Sequence, residues 1–392
     1  MREFFLIIFN LKEKYLYFSI IPFFIIISYY HLNYGFYMSP DSYKFSKFAD
    51  DLIELNFNLY EFFFSDKVSP KNITSFFFTI PISLIALCKI IFLDKWQYAF
   101  LVLNLIFLFF SIIIFVKTLL NIGIRSFLIF ITLPLILISV DVLTWPRYIL
   151  SDMNYAFLAI LITYFITKSL IDNKFNYLVI FLILFLILMT RPSSISIIFA
   201  VTFFIIFSRY QIFLKPKIIL SLVLIIFITV PLIFGVLYYI IKFQYIETTQ
   251  LEWLPTSLYP ISMAKVGMII HDRPDTWLHA PSNFKDFVYL YFMRLVYFFN
   301  PYAATFSISH NILNIFQIFL VLLSIFIWLF FGGNSDAKDK TFLFIIVLSI
   351  SVAAFHSFIL IDYDWRYRFP IILPLLMLFP ISIELILKKY KL

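Results

Sequence analysis

Apolar residues recur along this chain in long runs, and the polar residues are gathered mostly in the gaps between them. The runs fall at 15–33, 96–117, 126–143, 150–168, 176–190, 193–208, 218–241, 311–331, 341–361 and 369–387. Each is long enough, or nearly so, to cross the roughly 30 Å of bilayer hydrocarbon as a helix. Repetition of this kind in lipid requires helices, which satisfy their own backbone hydrogen bonds. The pattern therefore predicts an all-α polytopic membrane protein with about ten crossings. No long polar stretch separates the runs, so residues 1–392 read as a single membrane domain without a separate soluble one.

The run at 74–93 breaks the scheme, because it is interrupted by Pro81 and Lys89. Counted as a crossing, it would turn the lysines at 117, 168, 174, 215, 217, 338, 340, 388, 389 and 391 outward, against the positive-inside tendency. It is expected instead to be a re-entrant or interfacial helix, with both chain ends cytoplasmic. Two long outer segments result, 34–95 and 242–310. In the second, Phe287, Leu290, Tyr291, Arg294, Leu295 and Phe298 recur at helical spacing, which predicts an interfacial helix with aromatic rings at headgroup depth.

Composition narrows the function. With 63% hydrophobic and 13% charged residues the chain is not a soluble globule, and nothing in it points to nucleic acid. The first run follows Arg2, Lys12 and Lys14 without a small-residue cleavage site, which predicts an uncleaved first helix. Cys88 is the single cysteine, so neither an intramolecular disulfide nor a cysteine metal cluster is available. Six glycines are few for a channel or transporter. His271 and His279, eight residues apart, match no common metal motif. A divalent metal on carboxylates stays open, and no other cofactor is expected. Asn72-Ile73-Thr74 has the form of a glycosylation sequon, which matters only in a eukaryotic host.

Charge at the outer helix ends carries the candidate chemistry. The short outer turns hold Arg147, Arg191, Arg366 and Arg368 and no lysine, whereas lysine prevails on the cytoplasmic side. One reading pairs these arginines with the nearby acids Asp141, Asp152, Asp362 and Asp364 to fasten helix ends. The other makes them an oxyanion site, since guanidinium is permanently charged and grips phosphate in a two-pronged fork. Asp41 stands just after the first run, within Ser39-Pro40-Asp41-Ser42. It is either a turn or capping residue ahead of a helix over about 43–55, or a base for an acceptor hydroxyl beside a departing phosphate. Asp50, Asp51 and Glu54 read as the solvated face of that helix, with a site role in reserve.

The order of these features, Pro40-Asp41-Ser42, then LSDMNYAF at 150–157, MTRPSS at 189–194 and WRYRFPIILP at 365–374, resembles the GT-C membrane glycosyltransferases. Within them it is most similar to the branch of the bacterial aminoarabinose transferase and the protein O-mannosyltransferases. The resemblance spans nearly the whole chain through short motifs. It implies a GT-C-like bundle in the cell inner (cytoplasmic) membrane, with its active site on the outer face. A polyprenyl-phosphate sugar would be the donor, and a cell-envelope glycan, lipid or protein the acceptor. It further implies Asp41 as catalytic base, Asp152 as a second acid lining the site or placing the acceptor, and Arg191, Arg366 and Tyr367 near the donor phosphate, with Arg147 and Arg368 as further phosphate ligands. Two departures qualify it. The first loop lacks paired acids at Asp41, against a protein mannosyltransferase, and no large polar segment follows the last run, which leaves acceptor recognition to the membrane domain. An O-antigen or oligosaccharide polymerase and a lipid-linked sugar flippase or small-molecule transporter are the rival readings. The first would change the length of lipid-linked chains rather than add one sugar; the second would place charges mid-helix along a pathway.

Overall fold

A computed structural model describes residues 13–64, 76–209, 284–302, 306–332, 336–359 and 365–390. Their helices are α1 (Glu13–Tyr34), α2 (Pro40–Glu54), α3 (Leu59–Phe64), α4 (Thr79–Phe92), α5 (Trp96–Asn121), α6 (Ser126–Leu137), α7 (Val140–Thr144), α8 (Asp152–Ile171), α9 (Tyr177–Leu188), α10 (Ser194–Arg209), α11 (Phe284–Phe298), α12 (Ile308–Phe331), α13 (Ala337–Ile359) and α14 (Phe369–Lys389). Short 3₁₀ turns at Leu93–Lys95, Trp145–Arg147 and Trp365–Arg368 link three of the pairs. The chain is an all-α polytopic membrane protein, as its hydropathy predicts.

Six stretches among the described residues are long and apolar enough to cross a membrane, or seven if the pair Ser126–Leu137 and Val140–Arg147, bent by 53°, is one broken span. The expected count of about ten is not reached among them. Tyr177–Leu188 and Ser194–Ile206 are shorter, and at 1.5 Å per residue a twelve-residue helix such as α9 rises only about 18 Å. The break between α9 and α10 falls at Thr190-Arg191-Pro192, where proline cannot extend the preceding helix. The runs at 218–241 and most of 242–310, with His271 and His279, lie outside the described residues, as do Asn72, Asp362 and Asp364.

Two helices form the centre. α14 packs against α12, α8, α13 and α6 and is buried along nearly all its length from Phe369 to Leu385, while α8 packs against α5, α14, α9 and α13. Burial on several sides suits helices that are apolar all round. At the periphery, α1 exposes Phe18, Ile21, Ile25, Ile26 and Tyr29, a face that lipid covers in a protein of this class.

The run at 74–93 becomes α4, which lies alongside α2. Phe78, just before α4, shares a cavity with Asp41 and Phe45 of α2, and Lys89 near its other end binds Asp50 at 2.7 Å. The two helices thus run side by side in one layer. α4 and α5 together make one long apolar stretch, Thr79–Asn121, broken at Leu93, whose φ is +46°. The aromatic helix predicted near 285–299 is α11, which buries Tyr291 and Phe298 and packs on α13.

The ends of the bundle differ. At one, Glu384 near the C-terminus of α14 binds Arg125 at 3.4 Å and Lys338 at 3.8 Å, and Lys388 binds Asp336 at 3.3 Å. The opposite end gathers the C-terminus of α1, the N-termini of α8 and α14, and the turn after α9.

Candidate functional site

At that opposite end the segment after α1 is fixed by backbone and side chain together. Tyr37 bridges the strand-like segment before α8, its N–H donating to the Arg147 carbonyl (2.8 Å) while its own carbonyl accepts from Ile149 (3.2 Å). Buried Asn104 of α5 donates to the carbonyls of Pro146 (3.0 Å) and Tyr148 (3.2 Å), holding that segment from behind. The sequence then starts α2 with a capping box: Ser39 caps the helix, its hydroxyl accepting from Ser42, whose side chain answers the Ser39 N–H, and Pro40 takes the first turn. The capping work falls to Ser39, so the Asp41 carboxylate is left for other partners. It meets Arg366.

Arg366 is the junction of the site. Its Nε donates to both oxygens of Asp152 (3.1 and 2.9 Å), and its Nη1 donates to Asp41 Oδ2 (3.3 Å). Arg191 donates its Nη1 to Asp152 Oδ1, and its guanidinium lies over the Tyr367 ring, 5.0 Å from the centroid. Asp152, only 1% exposed, therefore holds two guanidiniums in place, whereas Asp41 at 59% stays open to solvent. The Tyr367 ring packs in turn on His356 (4.5 Å between centroids), and His356 stacks on Phe298 of α11 (5.9 Å). The stack couples the site to α11.

Asp41, Arg191, Arg366 and Tyr367 line one cavity of about 240 Å³, whose other walls include Lys44, Phe45, Phe78, Ser193, Phe355 and His356. Asp152 lies directly beneath, bonded to the two arginines. Lys44, Arg191 and Arg366 oppose Asp41 and Asp152, so the described part of the site carries one net positive charge. It can hold a singly charged anion against the guanidiniums and present a carboxylate beside it. Lys44 and His356 are the residues that sequence reasoning missed. Lys44 follows Asp41 by one helical turn, which is a usable signal; His356 sits inside the run at 341–361 as its single titratable side chain.

Two of the four arginines that the sequence singles out go elsewhere. Arg147 donates to the carbonyls of Gly35 (2.9 Å) and Tyr34 (3.0 Å) and stacks on the Tyr34 ring, closing the C-terminus of α1. Arg368 is fully buried, its guanidinium meeting Asp141 (3.3 Å), the Asn300 carbonyl (3.3 Å) and the Asn314 side-chain oxygen. Asp141 also accepts from Trp145 Nε1 at 3.1 Å. Arg366 and Arg368 part because a 3₁₀ turn repeats every three residues, so side chains two apart point to different sides. Of the reserve acids, Asp50 is engaged by Lys89. No group of three or more His, Cys, Asp or Glu side chains converges among the described residues.

The chain matches no protein-family model, no curated protein and no solved structure.

Proposed function

We propose that the chain is an inverting glycosyltransferase that moves a sugar from a polyprenyl-phosphate carrier to a cell-envelope glycan, lipid or protein. The reading rests on one observation: three segments far apart in sequence bring Asp41, Arg191 and Arg366 to one cavity at one end of a membrane bundle. A carrier phosphodiester has a single negative charge, which the net charge of the site balances. The acceptor hydroxyl oxygen attacks the anomeric carbon, on the face opposite the phosphate. The bond from that carbon to the phosphate oxygen breaks and its electron pair leaves with the polyprenyl phosphate. Asp41, the solvent-open carboxylate, takes the hydroxyl proton. Arg366 and Arg191 stabilise the charge that grows on the phosphate, and Asp152 positions both of them. Arg366 exchanges its contact with Asp41 for the phosphate when the donor binds, which frees the base.

In this reading the arginine-rich end faces outward from the cytoplasmic membrane, the lysines of the other end lie inside, and the shorter helices α9 and α10 together with the run at 218–241 bring the crossings to about ten. Purified protein given a polyprenyl-phosphate sugar and a membrane extract as acceptor source tests it. Wild type releases polyprenyl phosphate, and Asp41→Asn, folded and inserted normally, loses at least about 100-fold in rate. Full transfer by Asp41→Asn would remove the assignment.

A further inference from the structure

The cavity has a second wall that the transfer chemistry does not use. Ser193 borders it, two residues after Arg191 on the turn between α9 and α10; it is 3% exposed, and its buried Oγ makes no hydrogen bond among the described residues. The buried Tyr155 hydroxyl is directed at Ser193 and Ser196 without the geometry of a full hydrogen bond. A buried hydroxyl is costly to leave unpaired, so an orphan that borders a cavity marks a place for a ligand's polar group. His356 borders the same cavity, 7% exposed, with its ring packed against Tyr367 and Phe298.

Serine and neutral imidazole share a property that the charged wall lacks: each can both donate and accept a hydrogen bond without bringing charge. Sugar hydroxyls ask for such partners. The aromatic rings of Phe45, Phe78 and Phe355 supply apolar surface for the C–H face of a pyranose. Asp152 is committed to two guanidiniums, and Asp41, once Arg366 turns to the phosphate, to the acceptor hydroxyl, so the neutral wall offers no anion to an ammonium-bearing sugar. A sugar carboxylate would compete with the carrier phosphate for the same arginines. At about 240 Å³ the cavity suits a single ring rather than an oligosaccharide.

We infer that Ser193 and His356 form the subsite for the transferred sugar, and that it takes an uncharged monosaccharide with free ring hydroxyls. This rests on the glycosyl-transfer reading of the cavity and goes beyond it in naming the chemical class of the transferred group. Binding to the whole protein in lipid nanodiscs tests it, with four short-chain probes: bare polyprenyl phosphate, and the same carrier bearing a neutral hexose, an amino sugar or a hexuronic acid. The neutral glycosylated carrier binds about tenfold tighter than the bare carrier in wild type, and the charged sugars gain nothing. In Ser193→Val and in His356→Phe, which keeps the ring stack, the ratio of the two affinities falls toward one. Equal gain for a charged sugar, or a ratio untouched by both variants, overturns the subsite while leaving the phosphate site standing. Failure of bare polyprenyl phosphate to bind at all overturns the glycosyl-transfer reading and the subsite with it.

Discussion

Arg366 and Arg368 illustrate how much depends on single side chains here. Lysine cannot imitate the fork by which Arg366 spans Asp152 and Asp41, so Arg366→Lys is expected to lower transfer at least about tenfold although the charge remains, as measured by release of polyprenyl phosphate. Asp152→Ala leaves two guanidiniums facing each other and should cost about 3–5 kcal/mol in the thermal stability of the purified protein. Arg368 and Asp141 behave differently. Each single truncation strands a buried charge, but the double replacement Arg368→Met with Asp141→Leu removes both and should recover most of the stability that either single change loses, with transfer retained. The absence of lysine among the outer arginines singled out four candidates, and the structure brings two of them to the cavity. What separates the pairs is geometry: Arg147 is bound to carbonyls more than a hundred residues away, and Arg368 is turned inward by the pitch of a 3₁₀ turn. Neither is written in local spacing. Asp152 and Asp41 were legible as acids beside helix starts, while the division between a buried positioning acid and an open one needed the fold.

At the scale of helices, hydropathy located the long spans because burial and lipid exposure both demand apolar residues, but it did not fix how far each helix extends. α9 and α10 are apolar but shorter than the long spans, and are divided by Pro192 at the turn that carries Arg191. The interruption at 74–93 was visible through Lys89, which has a specific partner in Asp50 of α2. Where α4 gives way to α5 the chain turns at Leu93, a leucine at φ +46° with its side chain 71% exposed. That conformation favours glycine, and little burial is lost on removing the side chain, so Leu93→Gly should raise stability by about 1 kcal/mol in thermal unfolding. A fall instead would mean that Leu93 is held by contacts with lipid.

For the molecule as a whole, the two ends predict an orientation. The sole cysteine, Cys88, is buried and is readily replaced as background. With Cys88→Ser, a membrane-impermeant thiol reagent should label Lys47→Cys on α2 in intact cells and Lys174→Cys, between α8 and α9, only after the membrane is opened. The reverse result would turn the site toward the cytoplasm. The sequence predicts a sidedness because lysine counts accumulate over many loops, but not the centre of the bundle, since α1 and α8 are equally apolar and only packing distinguishes the rim from the middle.

The central place of α14 also has a consequence in time. Synthesis runs from the N-terminus, so the helix that fills the middle of the bundle is the last of the described helices to leave the ribosome. Until it arrives, Asp141 lacks the guanidinium of Arg368, Asp152 has Arg191 but not Arg366, and α6, α8, α12 and α13 lack the helix that packs among them. The bundle therefore cannot close until its last described helix is made, and closure of the bundle and completion of its charge network are one late event.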